Sequence, residues 1–227
     1  MKIPLSTRLL ACAGFVNQGD RVADIGCDHG YLSIHLLTSG IASSCIASDV
    51  AEGPLQSALH NAKKFGVREN ISFHLSDGVR NIPRDFNTLV CAGMGGDTMI
   101  HILESAPWLQ HEQYRLILQC QSKRPELRKW LYDHGFAIRR ETLAQDGKFY
   151  YPVMEVVYAP GETLSGAEYY ITPALQRSGS PLLAAFYDRV VGGIRKNVEG
   201  LARTGGEKYE EMKAILDELL AMKEAIQ

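Results

Sequence analysis

The sequence predicts an α/β fold: a parallel sheet covered by helices on both faces, closed by an antiparallel pair of strands and followed by an α-helical hairpin. Three observations predict it. Five short apolar runs alternate with four helix-spaced runs between residues 21 and 135, the signature of a parallel sheet with right-handed crossovers. Two β-rich runs, 136–143 and 150–158, then follow directly, with Asp146-Gly147 in their connection, a hairpin signal. Beyond residue 180, apolar residues recur at three- and four-residue steps on either side of Gly205-Gly206, as two helices joined by a glycine turn require.

Each element has its own signal. Apolar positions at 5, 9, 10, 12 and 16 have helical spacing, with Ser6-Thr7 as a cap. Arg8 is polar within that helix, either a substrate contact or a solvent-facing side chain. The predicted strands are 21–26, 44–49, 71–75, 87–92 and 115–120, and the fourth is nearly all apolar, as a strand buried on both faces should be. The intervening helices are predicted at 31–39, 52–65, 97–104 and 124–133; Gly66 and Gly135 stand where helices stop. Composition shifts at Ala159-Pro160-Gly161. This divides the chain into a domain over 1–160 and a tail over 161–227, a Gly/Ser/Thr/Pro-containing linker with Tyr169-Tyr170-Ile171-Thr172-Pro173 as an ordered island and then the helical hairpin, whose second stripe runs from Tyr209 to Ile226. An antiparallel hairpin closing such a sheet is the class I methyltransferase arrangement, and it is unusual in dinucleotide dehydrogenases.

Composition narrows the classes. The net charge of −2 is spread evenly: residues 1–160 carry 16 basic and 16 acidic side chains, and 161–227 carry 8 and 10. Any nucleic-acid surface must therefore be a local patch. The five cysteines are scattered, with no C-x-x-C pair, which argues against a zinc site and against a disulfide framework; no metal is expected. No run approaches the roughly 18 apolar residues of a membrane span. The first residues lack the pattern of a secretory leader. A cytoplasmic location is expected.

The chemistry is expected at the carboxyl ends of the strands, where ligands bind in open parallel sheets. Asp24-Ile25-Gly26-Cys27-Asp28-His29-Gly30 is a strand–turn–helix junction whose backbone N–H groups face a ligand. Asp49 ends the second strand 19 residues beyond Gly30, at the spacing of a ribose-binding acid. Asp77-Gly78 follows the third strand, where an acid accepts from an exocyclic amine. Gly93-Met94-Gly95-Gly96 follows the fourth. The G-x-G-x-x-G fingerprint and the P-loop are both absent. Asp28 would repel a pyrophosphate but suits a ligand with an ammonium group. S-adenosylmethionine carries a sulfonium, an ammonium, a ribose and an adenine, so the four loops fit it better than a nicotinamide dinucleotide. Cys27 reads as a small packing residue, because no base or lysine partner for a nucleophile is identifiable.

With D-I-G-C-D-H-G-Y-L, S-D-V, S-D-G, A-G-M-G-G and the late F-Y-Y-P-V-M-E, the sequence resembles the TrmK family of bacterial tRNA methyltransferases across essentially its whole length. The resemblance implies methyl transfer from S-adenosylmethionine to N1 of adenine 22 of tRNA. It implies a cofactor site lined by Asp24, Gly26, Cys27, Asp28, Gly30, Asp49, Asp77, Gly78, Gly93, Met94 and Gly95. Asp28 and His29 are the catalytic candidates, facing the adenine edge or its developing charge. An aromatic platform is expected for the base, at Tyr31 or Tyr150. Phosphates need cations, and the candidates are Arg8, Lys123, Arg124, Arg128 and Lys129 in the domain and Arg189, Arg195, Lys196 and Arg203 on the hairpin. The expected working unit is a monomer or weak dimer. Other readings are a methyltransferase for another RNA or a protein amine, and a non-catalytic RNA-binding relative.

Overall fold

The structure is a computed structural model that describes residues 3–224; Ile226 of the predicted helical stripe lies outside them. Strands β1 (Asp20–Ile25), β2 (Ala42–Asp49), β3 (Ile71–Leu75), β4 (Thr88–Met94), β5 (Arg115–Cys120), β6 (Phe136–Asp146) and β7 (Phe149–Tyr158) form one sheet in the order β3-β2-β1-β4-β5-β7-β6. The first five are parallel, and β7 inserts antiparallel between β5 and β6. The chain starts at β1 in the middle, winds outward to β3 and returns to β4 beside β1. The crevice between the carboxyl ends of β1 and β4 is therefore the topological switch point.

Helices α1 (Thr7–Ala13), α2 (Tyr31–Thr38) and α3 (Glu52–Lys64) cover one face, and α4 (Gly96–Glu104) and α5 (Arg124–Asp133) the other. Each face has its own core. Leu32, Leu36, Leu55 and Ala58 pack under the first set, while Met99, Leu103, Leu127 and Leu131 pack under the second. The central strands are buried on both faces, which is why β4 reads as a nearly continuous apolar run and β5 as one interrupted by Gln119.

Three local features differ from the sequence expectation. Ser6 occupies the N-cap position of α1 but makes no capping bond, and its hydroxyl is buried without a partner among the described residues. Thr7 instead donates to the Gln145 carbonyl at 2.8 Å, tying α1 to β6. The β6–β7 connection shrinks to Gly147-Lys148, because the ladder continues to the Asp146–Phe149 pair. β4 runs two residues past Ala92 through a bulge: Ala92 pairs with Gln119 and Met94 with Cys120, leaving Gly93 unpaired at φ 85°. A side chain there would be strained, and the bulge bends the strand end towards the crevice.

The stretch 161–180, expected as a linker, carries a capped turn at Gly166–Tyr169 and a short helix, α6 (Pro173–Gln176), capped by the Thr172 hydroxyl. It leads into α7 (Leu183–Leu201) and α8 (Glu207–Glu224). The hairpin does not bury its stripes only on itself. Phe186, Tyr187, Ile194, Leu216 and Leu219 share a third core with Leu143 of β6 and with Ala167, Ile171 and Leu175 of the connecting segment. Arg128 of α5 fastens the junction. Its guanidinium is buried, pairs with Glu141 of β6, and donates to the carbonyls of Tyr169 and Tyr170 at 2.9 and 2.8 Å. Thr172 donates to the other Glu141 oxygen. A buried charge needs this degree of pairing, and it holds the hairpin against the domain.

Candidate active site

A cavity of about 440 Å³ opens at the switch point, the size class of small-ligand and cofactor sites. Its lining includes Arg8, Asp24, Gly26, Cys27, Asp28, His29, Tyr31, Asp49, Asp77, Gly78, Gly93 and Met94. Thus all four strand-end loops singled out in the sequence converge on one space.

The turn after β1 is pinned rather than loose. The N–H groups of Gly26 and Cys27 both donate to the Ser48 carbonyl of β2, at 2.8 and 2.9 Å. Asp28 adopts φ 51°, a left-handed conformation uncommon outside glycine. That geometry aims its N–H at the Asp49 carboxylate, 3.1 Å away. The other Asp49 oxygen accepts from the N–H of Ala51 at 3.0 Å. Asp49 is therefore fixed by two backbone donors, with lone pairs left over for a ligand hydroxyl. The Asp28 side chain is free in solvent at the cavity, with His29 Nε2 3.7 Å from it. The His29 ring lies 6.0 Å from that of Tyr31.

Asp24 is the buried acid of the group. Ser33 of α2 donates to it at 2.8 Å. Burial pushes its carboxyl up to about 6 against the Ser33 bonds, and the neighbouring Asp49 adds to the rise. The site thus carries a carboxylate that a cationic ligand would relieve. Cys27 is buried, and its thiol is pushed upward by burial and by Asp24 and Asp49. It stays protonated and packs, as the sequence suggested. Asp77 pairs with Arg80 at 2.9 Å on the exposed rim.

Two predicted lining residues stand apart from the cavity. Gly30 starts α2, and a Cβ there would meet the Ala58 Cβ of α3 at 2.8 Å; it is small so that two helices can touch. Gly95 precedes α4 against Ser122 of the segment after β5. Gly26 has a related role inside the cavity, because the Met94 methyl lies where its Cβ would be. Tyr31 lines the cavity, whereas Tyr150 packs against Phe186, with ring centres 6.2 Å apart, in the hairpin core.

The predicted phosphate contacts also separate. Arg8 points into the cavity mouth, with its guanidinium resting on the Gly93 bulge and donating to Gln119 Oε1 at 3.2 Å. Arg128 is spent inside the fold, and Lys129 is paired with Asp133 at 2.7 Å. Lys123 pairs with Asp97 at 2.5 Å on the surface. Arg124 and Arg189 line a second cleft with Lys123. Arg195 and Lys196 lie exposed on α7.

Sequence reasoning missed Gln119, Val50 and Ile102. Gln119 is buried in β5 beside Arg8, and its Nε2 has no partner among the described residues. One polar residue inside the apolar run Leu116–Cys120 was the available signal. Val50, strongly exposed and directly after Asp49, lines the cavity with Ile102 of α4; together they supply apolar surface for a flat ring. No cluster of metal-ligating side chains occurs among the described residues, and no helix among them is long and apolar enough to cross a membrane.

Strand order, pinned acid-ended turns and a cavity at the switch point define a class I methyltransferase domain. Comparison with known proteins agrees: the family described as "Methyltransferase domain" matches residues 5–154. The tRNA (adenine(22)-N(1))-methyltransferase of Bacillus subtilis is 36% identical over 151 residues, which span 66% of this chain and 63% of that protein. The chain thus aligns with under two thirds of that curated relative's length. Streptococcus pneumoniae Sp1610, solved in complex with S-adenosyl-L-methionine, is 32% identical with a TM-score of 0.80, over 93% of this chain and 99% of that one. The B. subtilis M1A22 tRNA methyltransferase TrmK superposes with a TM-score of 0.80 at 28% identity, over 99% of this chain and 98% of that one. The chain belongs to the TrmK family of methyltransferases.

Proposed function

We propose that the protein transfers a methyl group from S-adenosylmethionine to N1 of adenine 22 in tRNA, acting in the cytoplasm as a monomer or weak dimer. The observation that carries the reading is the acid-lined cavity at the β1/β4 crevice. Asp24 and Asp49 are fixed in its wall and Asp28 projects at its mouth, a donor set suited to a cationic nucleoside and unsuited to a pyrophosphate. The adenosine end of the cofactor would lie along Asp49, Val50, Asp77 and Gly78, and its charged end against Asp24, Gly26 and Cys27. When bound, S-adenosylmethionine supplies an electrophilic methyl group beside a sulfonium leaving group.

The chain's own residues position the acceptor. Adenine N1 keeps its lone pair at neutral pH, so alignment and electrostatics do most of the work. Asp28 and His29 face the arriving base, and the Asp28 carboxylate stabilises positive charge growing on the ring. Tyr31 offers an aromatic face beside them. The bend at Gly93 brings the strand-end backbone towards the base edge, with Arg8 held there by Gln119. N1 lies on the pairing edge, so the base has to be exposed or flipped before it enters.

The test is incubation with labelled S-adenosylmethionine and unmodified tRNA transcripts, followed by nuclease digestion. The expected product is 1-methyladenosine. Cofactor binding with no such product from any tRNA would overturn the reading. A protein-amine substrate would show instead as label in protein.

A further inference from the structure

A second cleft, about 340 Å³ in volume, lies between the start of α5 and the face of α7. Its wall holds Lys123, Arg124 and Arg128 from the domain and Arg189 and Asn197 from the hairpin. None of the residues lining it is acidic. We propose that this cleft is a phosphodiester-binding site, in which Arg124 and Arg189 clamp one backbone phosphate of the tRNA while its target base enters the neighbouring cavity. The proposal rests on the tRNA reading above and gives that substrate a specific point of attachment.

The charge balance of the cleft carries the argument. Arg128 is neutralised by Glu141, and Lys123 by Asp97. Arg124 has no carboxylate and no hydrogen-bond acceptor among the described residues; its guanidinium lies over the Phe186 ring, 5.6 Å from the centroid. Among the described residues Arg189 donates only to the Lys148 carbonyl, at 3.2 Å, and it lies 5.7 Å from the Phe149 ring. Both guanidinium groups are therefore oriented by aromatic faces and keep donors for a ligand. A planar guanidinium offers several N–H donors, and phosphate is the anion whose oxygens match them. Burial, with Arg128 and Arg189, pulls the Arg124 pKa below its ordinary value, and Cys120 and Glu141, neither of them paired with Arg124, offset only part of the fall. A half-buried cation without a counter-charge is costly, and an anion in the cleft removes that cost.

Position supports the same partner. The cleft lies beside the loop whose Gly93 and Met94 line the active-site cavity: further along that loop the Gly96 N–H donates to the Ser122 carbonyl at 2.9 Å, and a Cβ on Gly96 would meet the Lys123 carbonyl at 2.5 Å. A phosphate held by Arg124 and Arg189 thus sits just behind the Gly93–Gly96 loop, on the same strand as a base presented to that loop. Both the domain and the hairpin contribute, which gives the fastening at Arg128 a purpose: it keeps the two halves of the clamp in register.

The experiment compares full-length protein with Arg124→Met, Arg189→Gln and the double variant. tRNA affinity is titrated from about 50 to 300 mM salt, with S-adenosylmethionine affinity and thermal unfolding as controls. Arg68→Gln, at the far edge of the sheet beside β3, serves as a charge-matched control. The double variant should bind tRNA about tenfold more weakly. Its plot of log Kd against log salt should be shallower by about 1, the loss of one phosphate contact. Cofactor affinity should be unchanged. Arg189→Gln alone, on an exposed position, should show part of the same loss if Arg124→Met destabilises the fold. Unmodified tRNA binding by the double variant, or an equal loss in Arg68→Gln, would overturn the clamp and leave the tRNA reading standing. Failure of the unmutated protein to bind any tRNA would overturn both.

Discussion

Asp24→Asn separates what a buried acid costs from what it does. Asp24 is 4% exposed, and its carboxyl is raised from 3.8 to about 6, chiefly by burial. The folded protein therefore holds this proton to higher pH than the unfolded chain does. Its contribution to stability is full below pH 3.8, falls as pH climbs through about 6, and stays lost above that. The gap of roughly 2 units amounts to about 3 kcal/mol at pH 8. Asparagine keeps an acceptor for Ser33 and removes the charge, although its amide N–H groups need partners, which costs about 1 kcal/mol. Asp24→Asn should thus be about 2 kcal/mol more stable than the unmodified protein at pH 8. That advantage should vanish by about pH 4. Denaturant unfolding at pH 4, 6 and 8 measures this directly. Calorimetry at pH 8 should show S-adenosylmethionine bound about tenfold more weakly, because a cationic ligand has lost a nearby anion. A variant less stable at pH 8, or a stability difference independent of pH, would refute the buried-charge argument.

Other substitutions test packing and positioning. Gly30→Ala should lower stability by about 2 kcal/mol, from its left-handed backbone and the clash with Ala58, without weakening cofactor binding by the folded protein; equal thermal unfolding would contradict the helix-contact role. Gly26→Ala pushes the Met94 methyl out of its place and should weaken cofactor affinity more than stability, seen by pairing calorimetry with unfolding curves. Gln119→Leu removes the acceptor that holds Arg8 on the Gly93 bulge. It should raise the KM for tRNA several-fold with S-adenosylmethionine affinity intact, and a parallel loss of both would place Gln119 in the cofactor wall instead.

Much of the fold was legible because each element repeats a simple physical pattern. The β/α alternation, the doubly buried β4 and the Asp146-Gly147 turn were enough for the sheet and its closing hairpin. The acids of the site were legible for a related reason: Asp24 and Asp49 stand at the carboxyl ends of β1 and β2, and Asp77 two residues beyond β3, where a charge has no packing use. What escaped was long-range. Nothing local reveals that Gly30 meets Ala58, that Tyr150 belongs to the hairpin core, or that Thr7 turns to Gln145 instead of capping its own helix. Arg128 is the clearest case. In sequence it is one more cation on an amphipathic helix, and only the arrival of Glu141 and the Tyr169–Tyr170 carbonyls makes it an internal fastener. Gln119 was hidden for the opposite reason, since a single amide in a buried strand gives no sign of where its donors point. The stretch 161–180 read as a linker with an ordered island at Tyr169–Pro173, and the order extends further, from Gly166 to Gln176, because Ala167 and Leu175 join Ile171 in the hairpin core.

The most direct test of the central claim is the position of the modification. Primer extension stops where N1 of an adenine is methylated, because the pairing edge is blocked. Transcripts treated with the protein and S-adenosylmethionine should give a new stop at adenine 22, absent from transcripts with guanine at that position and from reactions with Asp28→Ala protein that still binds cofactor. A stop at another nucleotide, or the same stop in the guanine-substituted transcript, would contradict the account.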